Sequence, residues 1–240
     1  MNNIKLSLPF ALLLAAGAAN SAPVVELFTS QGCYSCPPAD EFLAEIITRQ
    51  PDVVALEFHV DYWDTLRYGA AGVWKDPFSD PAYSQRQRRY NANDLEGREG
   101  VYTPQMIING QTAQVGTSKG RINRAIASDP PEIEIKAEFG DEGLVVKIDS
   151  ADTSEAILWL AVFDRERTTD VKNGENHGKT IVNHHVVREL VPLGRWEGDD
   201  VNQSFDMASY GLTADGTDSG CAVFLQDESL GAIQGATYCR

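Results

Sequence analysis

Apolar residues recur along this chain with two different periods, and the change of period falls near the middle. In the first half, short apolar runs alternate with stretches whose apolar residues share one face of a helix. Asp80-Pro81 has the form of a helix N-cap and first helical residue, and Asn109-Gly110-Gln111 has the form of a hairpin turn. The predicted elements are strands at 24–28, 53–60, 105–109 and 112–115, and helices at 39–49, 80–95 and 118–128. This alternation predicts an α/β domain.

After Pro130-Pro131 the pattern has a period of two. Residues 132–139 alternate charged and apolar side chains without exception, which predicts a strand with one buried face. Further strands are predicted at 144–149, 156–163, 181–190, 221–226 and 232–238. About seven antiparallel strands predict an all-β sandwich domain over 131–240. Because two successive prolines cannot continue a helix, we place its boundary with an α/β domain over 23–130 at this point.

The formal net charge of the 240 residues is −15, and most of it lies in the second half. Residues 131–240 carry 21 acidic and 9 basic side chains, whereas residues 23–130 carry 14 and 10. This balance argues against nucleic acid as a partner, because phosphate binding needs clustered Lys and Arg. It also argues against binding to anionic lipid. We expect the basic stretch of Arg86, Arg88 and Arg89 to form a solvated helix face.

The N-terminal residues 1–22 have the composition of a secretory signal peptide. Lys5 precedes an apolar run over 6–19, and small residues at 19–22 form a plausible cleavage zone. The run is short for a membrane span, which needs about 20 residues. We therefore expect secretion without stable membrane insertion, with a retained anchor as the alternative. Disulfides persist in the oxidising compartments that secreted proteins enter.

Cys33 and Cys36 lie between the first predicted strand and the first predicted helix. The free N–H groups and the dipole at a helix N-terminus stabilise a thiolate, and the two-residue spacing lets Cys36 resolve a mixed disulfide at Cys33. A redox-active pair is the favoured interpretation. A permanently closed structural disulfide and a metal site remain as alternatives, although tetrahedral zinc needs a second close ligand pair that the sequence lacks. We expect neither a metal nor a cofactor.

The other two cysteines, Cys221 and Cys239, flank a predicted hairpin. Residues facing each other across paired strands meet the geometric requirements of a disulfide, so we predict a structural bridge. An electron relay to the first cysteine pair is the alternative, and it needs the two halves of the chain to touch.

Several motifs resemble those of a secreted bacterial thioredoxin-like family of unknown function. They are VELFTSQGC at 25–33, SCPPAD at 35–40, FHVDYWD at 58–64, WKDPF at 74–78, VYTPQM at 101–106 and GENHG at 174–178. The resemblance spans most of the chain after the N-terminal segment. It implies a thioredoxin-like fold for 23–130 and a periplasmic location. It implies no assayed activity. The 67 residues between Cys36 and Pro104 leave room for a helical insertion at about 61–100.

In thioredoxin-like folds a cis-proline precedes a strand that faces the cysteine pair. Here Thr103-Pro104 precedes the strand predicted at 105–109. An X–Pro bond is cis in only about 5–6% of cases, but the order of elements predicts a cis bond here. We therefore assign Pro104 to the catalytic set with Cys33 and Cys36, and Thr103 to substrate binding.

Four further side chains are predicted to bind substrate beside the cysteines. Tyr34 and Ser35 separate the pair, and Asp61 and Trp63 follow the second strand, where the carboxyl ends of strands form sites in α/β sheets. Glu26 is an acid on the first strand, and we predict it as a proton relay, with solvated or capping roles as alternatives.

These residues predict an extracytoplasmic thiol–disulfide oxidoreductase that acts on protein thiols or disulfides with an unidentified redox partner. Two alternatives remain open. One is a non-catalytic binding or assembly protein stapled by the first cysteine pair, and the other is a metallochaperone.

Overall fold

The computed structural model describes residues 21–240 except 94, 129, 142, 150–154, 208–209, 211 and 213–216. The predicted signal peptide therefore lies outside the described residues except at its end. There Ser21 is buried, and its Oγ accepts a hydrogen bond from the Ala236 amide at 2.6 Å. The Ala22 amide donates to the Ala236 carbonyl at 3.1 Å. These bonds attach the start of the described chain to its last strand.

The first half of the described chain forms the alternating elements that the pattern predicts. They are β1 Val24–Thr29, α1 Pro37–Arg49, β2 Val54–His59, α2 Pro81–Tyr90, β3 Glu96–Gly97, β4 Gln105–Ile108, β5 Thr112–Val115 and α3 Lys119–Ser128. The N-cap prediction is confirmed, because the Asp80 carboxylate accepts from the Ala82 amide at 2.7 Å. The hairpin turn is confirmed as well, with positive φ at Asn109 (50°) and Gly110 (71°). Helix α2 ends five residues before the predicted Leu95.

The second half of the described chain consists of strands. They are β6 Ile135–Gly140, β7 Gly143–Ile148, β8 Ala156–Asp170, β9 Thr180–Trp196, β10 Val201–Phe205, β11 Ser219–Asp227 and β12 Ile233–Tyr238. Strands β8 and β9 extend well past the ranges predicted from alternation. Register shifts between Leu158 and Trp159 and between Val162 and Phe163 interrupt the pairing of β8 with β9, so the alternation does not run unbroken along these strands. Strand β10 was not predicted.

One nine-stranded sheet combines strands from both halves in the order β12-β11-β8-β9-β2-β1-β4-β5-β3. Strand β1 is parallel to β2 and antiparallel to β4, and β4 is antiparallel to β5. The halves meet where β9 runs parallel to β2, with Glu57 opposite Val186. A second sheet has the order β10-β7-β6. The protein is thus a mixed α/β structure with a large sheet and a second sheet, and its halves share the large one.

Three apolar clusters hold these layers together. Helices α1 and α3 pack on one face of β1, β2 and β4 through Leu27, Leu43 and Ile122. On the opposite face, α2 packs on a core that includes Phe58 of β2 and Phe224 of β11. This second cluster crosses from the first half of the chain to the second. The third cluster lies between the three-stranded sheet and the alternate residues of β8 and β11.

Candidate functional site

The first cysteine pair lies at the start of α1. Cys33 and Cys36 are joined by a disulfide, with their Cα atoms 5.4 Å apart. Cys36 is the N-cap residue, and its carbonyl accepts from the amides of Ala39 and Asp40 at 2.8 and 3.1 Å. Two prolines open the helix, where the first-turn amides have no intrahelical acceptors to lose. The predicted position at a helix N-terminus is confirmed.

Both cysteines are buried although the residues between them are exposed. Cys33 and Cys36 are 1% and 0% accessible, whereas Tyr34 is 66% accessible. The Ser35 hydroxyl lies 3.4 Å from the Cys33 Sγ. A thiol or disulfide partner in solution therefore meets Tyr34 first, and it cannot reach either sulfur without a local opening.

The loop at 171–179, which joins β8 to β9, covers the cysteine loop. The buried Asn176 amide donates to the carbonyls of Gln31 and Cys33, both at 2.9 Å. The Glu175 carboxylate accepts from the Tyr34 amide at 2.7 Å. The GENHG motif lies within this loop, but the sequence carried no signal that it would contact residues more than 140 positions away.

The loop before β4 lies on another side of the cysteine loop. The Thr103–Pro104 bond is cis, as predicted. Gly116 lies between Pro104 and α1, because a Cβ at this position would be 2.7 Å from the Ala39 Cβ and 3.1 Å from the Pro104 Cβ. Glycine is required here for the close approach of the two elements.

Trp63 connects the loop before β4 to the cysteine loop. Its Nε1 donates to the Thr103 hydroxyl at 2.8 Å, and its ring stacks on Tyr68 with 6.1 Å between centroids. Its Cβ packs against Gly32, where an added Cβ would be only 3.2 Å away. The structure therefore brings Trp63 and Thr103 together beside Cys33.

Asp61 lies apart from this group. Its carboxylate accepts a hydrogen bond from the Ser84 hydroxyl on α2, and its amide donates to the same hydroxyl at 3.0 Å. The side chain is therefore held by α2, and the described contacts connect it to none of the cysteine-loop residues.

Glu26 does not occupy the position that its predicted relay role requires. Side chains alternate along β1, so Glu26 lies on the face opposite Leu27, which packs against α1. Its carboxylate is paired with Arg86 Nε at 2.7 Å and accepts from the Tyr90 hydroxyl, both on α2. The relay prediction is wrong because the sheet separates Glu26 from Cys36. The expectation of a solvated Arg86 is also wrong, because Arg86 is 6% exposed and its guanidinium is paired with Glu26.

A buried polar cluster lies on the α1 side of the sheet. His59 Nδ1 is 2.8 Å from Asp76, and His59 Nε2 is 3.5 Å from Glu57. Burial lowers the pKa of His59, but the two carboxylates raise it by more, so it ends well above its usual value. Burial alone raises the pKa of Asp76, but His59 and two backbone amides lower it below its usual value. The buried His59 ring is therefore held between two carboxylates that favour its charged form.

Two hydrogen bonds connect this cluster to its surroundings, one to the cysteine loop and one to β9. Asp76 accepts from the Gln31 amide at 2.7 Å, and Glu57 accepts from the Asn183 side chain at 2.7 Å. The Gln31 side chain in turn donates to Asn183 at 2.9 Å. Polar residues at alternate positions of the apolar strand β2 were the signal that could have identified this cluster in the sequence.

The second disulfide joins Cys221 on β11 to Cys239, just after β12. The Cys239 amide also donates to the Cys221 carbonyl at 2.9 Å. Cys221 lies in the cluster between the two sheets, so this disulfide staples the edge of the large sheet. The described residues contain no group of three or more His, Cys, Asp or Glu side chains arranged to hold a metal ion. No helix in the described part of the chain is long and apolar enough to cross a membrane.

Fold and site together define a mixed α/β protein with a CxxC disulfide buried at the start of a helix. The chain belongs to the DUF1223 family of proteins of unknown function, whose model matches residues 24–226. A crystal structure of a protein from Agrobacterium tumefaciens is similar at a TM-score of 0.74 and 35% identity, covering 90% of this chain and 92% of that one.

HBP35 of Porphyromonas gingivalis is similar in fold, at a TM-score of 0.53 and 14% identity, covering 91% of this chain and 74% of that one. None of the curated proteins matches this chain.

Proposed function

We propose that the protein is an extracytoplasmic thiol–disulfide oxidoreductase whose reacting groups are Cys33 and Cys36. The observation that carries this proposal is the position of Cys36 as N-cap of α1, beside the cis-Pro104 loop. The helix dipole and free amides at that position favour a thiolate in the reduced state. Substrates are protein thiols or disulfides, and a separate redox partner regenerates the pair.

The strand order supports a thioredoxin-like first domain over 23–130. The order β2-β1-β4-β5, with α1 after β1 and α3 after β5, is the arrangement expected of that fold. The two facing layers of β6–β12 support a β-sandwich as the second unit over 131–240. Two disulfides and the signal-like N-terminus support a periplasmic location.

The reaction consists of two exchanges. The Cys33 thiolate attacks one sulfur of a substrate disulfide, and the other substrate sulfur leaves as a thiolate. The Cys36 sulfur, losing its proton as it reacts, then attacks the Cys33 Sγ, which closes the protein disulfide and releases the second substrate sulfur as a thiolate. Two electrons pass from the cysteine pair to the substrate, and the reverse sequence oxidises a substrate dithiol.

Access to Cys33 depends on the loop at 171–179. Asn176 holds this loop to the cysteine loop by two buried hydrogen bonds. Asn176→Ala removes both bonds, and each is worth about 1 kcal/mol net. We expect reduction by dithiothreitol to become about tenfold faster or more, because opening the loop precedes attack. His177→Ala, an exposed change in the same loop, is the control, and equal rates in both variants contradict the gating role.

A structural disulfide is the second candidate, and the 1% and 0% exposure of the two cysteines favours it. Redox titration of a Cys221→Ala/Cys239→Ala background separates the two candidates, because only the first pair then titrates. A potential above about −300 mV supports a working pair, and a lower one supports a structural bond. In the oxidoreductase, Cys33→Ser abolishes exchange, and Cys36→Ser traps mixed disulfides with partners. Exchange retained in Cys33→Ser refutes the proposal.

A further inference from the structure

We propose that Asp40 exchanges a proton with Cys36 when the Cys33–Cys36 disulfide opens and closes, and that the proton passes through the groove between α1 and β9. This inference rests on the proposed redox function, and it deepens it by assigning the proton acceptor that Glu26 cannot be. Asp40 is four residues after Cys36 on α1, one of its carboxylate oxygens lacks a partner among the described residues, and it borders a groove.

Helix spacing brings the Asp40 side chain to Cys36. Asp40 is four residues after Cys36, and its amide donates to the Cys36 carbonyl at 3.1 Å. Residues four apart on a helix have Cβ atoms about 5–6 Å apart. Side chains on a helix also tilt toward its N-terminus, which here is the end that carries Cys36. Both residues are buried, at 0% and 2% exposure.

The Asp40 carboxyl group is only half satisfied by the protein. Its Oδ1 accepts from the Thr29 hydroxyl at 2.7 Å. Its buried Oδ2 has no hydrogen-bond partner among the described residues. An unpaired buried carboxylate oxygen is costly. Protonation of Oδ2 relieves that cost, so this oxygen is suited to receive and return a proton.

A groove of about 790 Å³ adjoins Asp40. Asp40 lies in its wall between the first turns of α1 and the first residues of β9, and the partly exposed Tyr34 and Val182 line its apolar sides. The charged or titratable groups that face the groove are Glu41, Lys179 and His184. Water in this groove provides a route between Asp40 and solvent that avoids the closed side over Cys33.

The surroundings of Asp40 adjust its acidity toward that of a thiol. Burial raises the pKa of Asp40, the Glu57 and Asp76 carboxylates raise it further, and the Thr29 hydrogen bond and His59 partly oppose them. The result lies well above the usual Asp value. Proton transfer is most efficient when the pKa values of acid and base are close and near the working pH.

In the resolving step, the Cys36 thiol transfers its proton to Asp40 as its sulfur attacks the Cys33 Sγ. The bond between Cys33 and the substrate sulfur breaks, and the pair of electrons in that bond leaves with the substrate sulfur. Asp40 then releases the proton through water in the groove to bulk solvent, and the departed substrate thiolate is protonated from solvent. In the opening direction the same proton returns to Cys36.

The test uses Asp40→Asn, with Glu41→Gln as the matched control, since Glu41 is the exposed neighbour that lines the same groove. Both are made in the Cys221→Ala/Cys239→Ala background. Reduced protein is mixed with oxidised glutathione, quenched with acid and weighed by mass spectrometry. We expect the protein–glutathione mixed disulfide to form at the same rate in all proteins. Its resolution should slow about 100-fold near neutral pH in Asp40→Asn only.

A second variant keeps Asp40 but changes its acidity. Thr29→Val removes the hydrogen bond that favours the charged carboxylate, so the pKa of Asp40 rises. The pH profile of resolution should therefore move to higher pH. Resolution at the wild-type rate and with the wild-type pH profile in both variants overturns the Asp40 role while the redox function stands. Failure of the wild type to react with glutathione refutes the redox function itself, and the Asp40 role with it.

Discussion

The buried ion pair between Arg86 and Glu26 leads to a prediction about stability. Arg86 is 6% exposed and Glu26 is 0% exposed, with 2.7 Å between Nε and Oε1. Arg86 Nη2 also donates to the Tyr90 hydroxyl and to Gln226, both at 2.8 Å. Its guanidinium lies 5.7 Å from the ring centroid of Phe224. These contacts join β1, α2 and β11, and so they connect the two halves of the chain.

Arg86→Met keeps most of the aliphatic volume but leaves the Glu26 charge buried without a partner. Breaking a buried pair in this way costs about 3–5 kcal/mol. Tyr90 and Gln226 each lose a charge-assisted hydrogen bond as well. We therefore expect Arg86→Met to lower the free energy of unfolding by an amount at the upper end of that range. Replacing both charges, as in Glu26→Met/Arg86→Met, should recover most of the loss, because an apolar pair carries no desolvation penalty.

Urea unfolding monitored by tryptophan fluorescence, with both disulfides intact, measures these differences. A shift of the urea midpoint with an unchanged m-value reports a change in the free energy of unfolding. Arg89→Met is the matched control, because Arg89 lies on the exposed side of the same helix. It should change stability by less than about 0.5 kcal/mol. If Arg86→Met costs no more than Arg89→Met, or if the double variant is less stable than Arg86→Met, the assignment of this pair as a coupled unit is refuted.

Three further outcomes follow from local geometry and charge. Gly110→Ala should lower the free energy of unfolding by more than about 1 kcal/mol, because φ is 71° and the new Cβ overlaps the Gly231 carbonyl. Gly120→Ala, in open space on α3, should raise it by about 1 kcal/mol. Equal thermal unfolding midpoints for the two variants contradict both expectations. Cys221→Ala/Cys239→Ala should lower the free energy of unfolding by about 3 kcal/mol, because the bridge no longer restricts the loop it closes in the unfolded chain. A loss under about 1 kcal/mol in denaturant titrations contradicts this stabilising role. Burial raises the folded pKa of Asp40 above its unfolded value, so its contribution is complete at low pH and is lost as pH rises through the folded pKa. Asp40→Asn should therefore gain stability relative to the wild type as pH rises above the unfolded Asp pKa of about 3.9 in urea titrations, and a difference that stays constant with pH contradicts this.

The loop at 171–179 shows why part of the site could not be predicted. The CxxC pair and its helix start follow from signals within a few residues, and the cis proline was predicted from the order of elements in the fold that the motifs resemble. The covering contact of Asn176 joins positions 143 residues apart along the chain. Its motif was visible, but nothing in five residues specifies which distant carbonyls the amide will meet.

Glu26 and Asp40 show the same limit for charged groups. Both acids lie near the cysteine motif in sequence, and the nearness of Glu26 suggested a relay. The alternation of side chains along β1 directs Glu26 to the α2 face, whereas helix spacing directs Asp40 toward Cys36. Glu26 and its neighbour Leu27 lie on opposite faces of β1, so a shift of one residue along the strand decides which groups the carboxylate can contact.

By itself, the sequence determined the features that depend on local backbone preferences. The Asp80-Pro81 cap, the Asn109-Gly110 turn, the alternation over 132–139 and the spacing of the cysteines belong to this class. Only the tertiary structure decided that β9 pairs with β2, so that both halves share one sheet and one apolar cluster. It also decided the partners of Arg86 and the burial of Cys33. Those contacts join distant residues, and their free energy comes from desolvation and packing that no local pattern records.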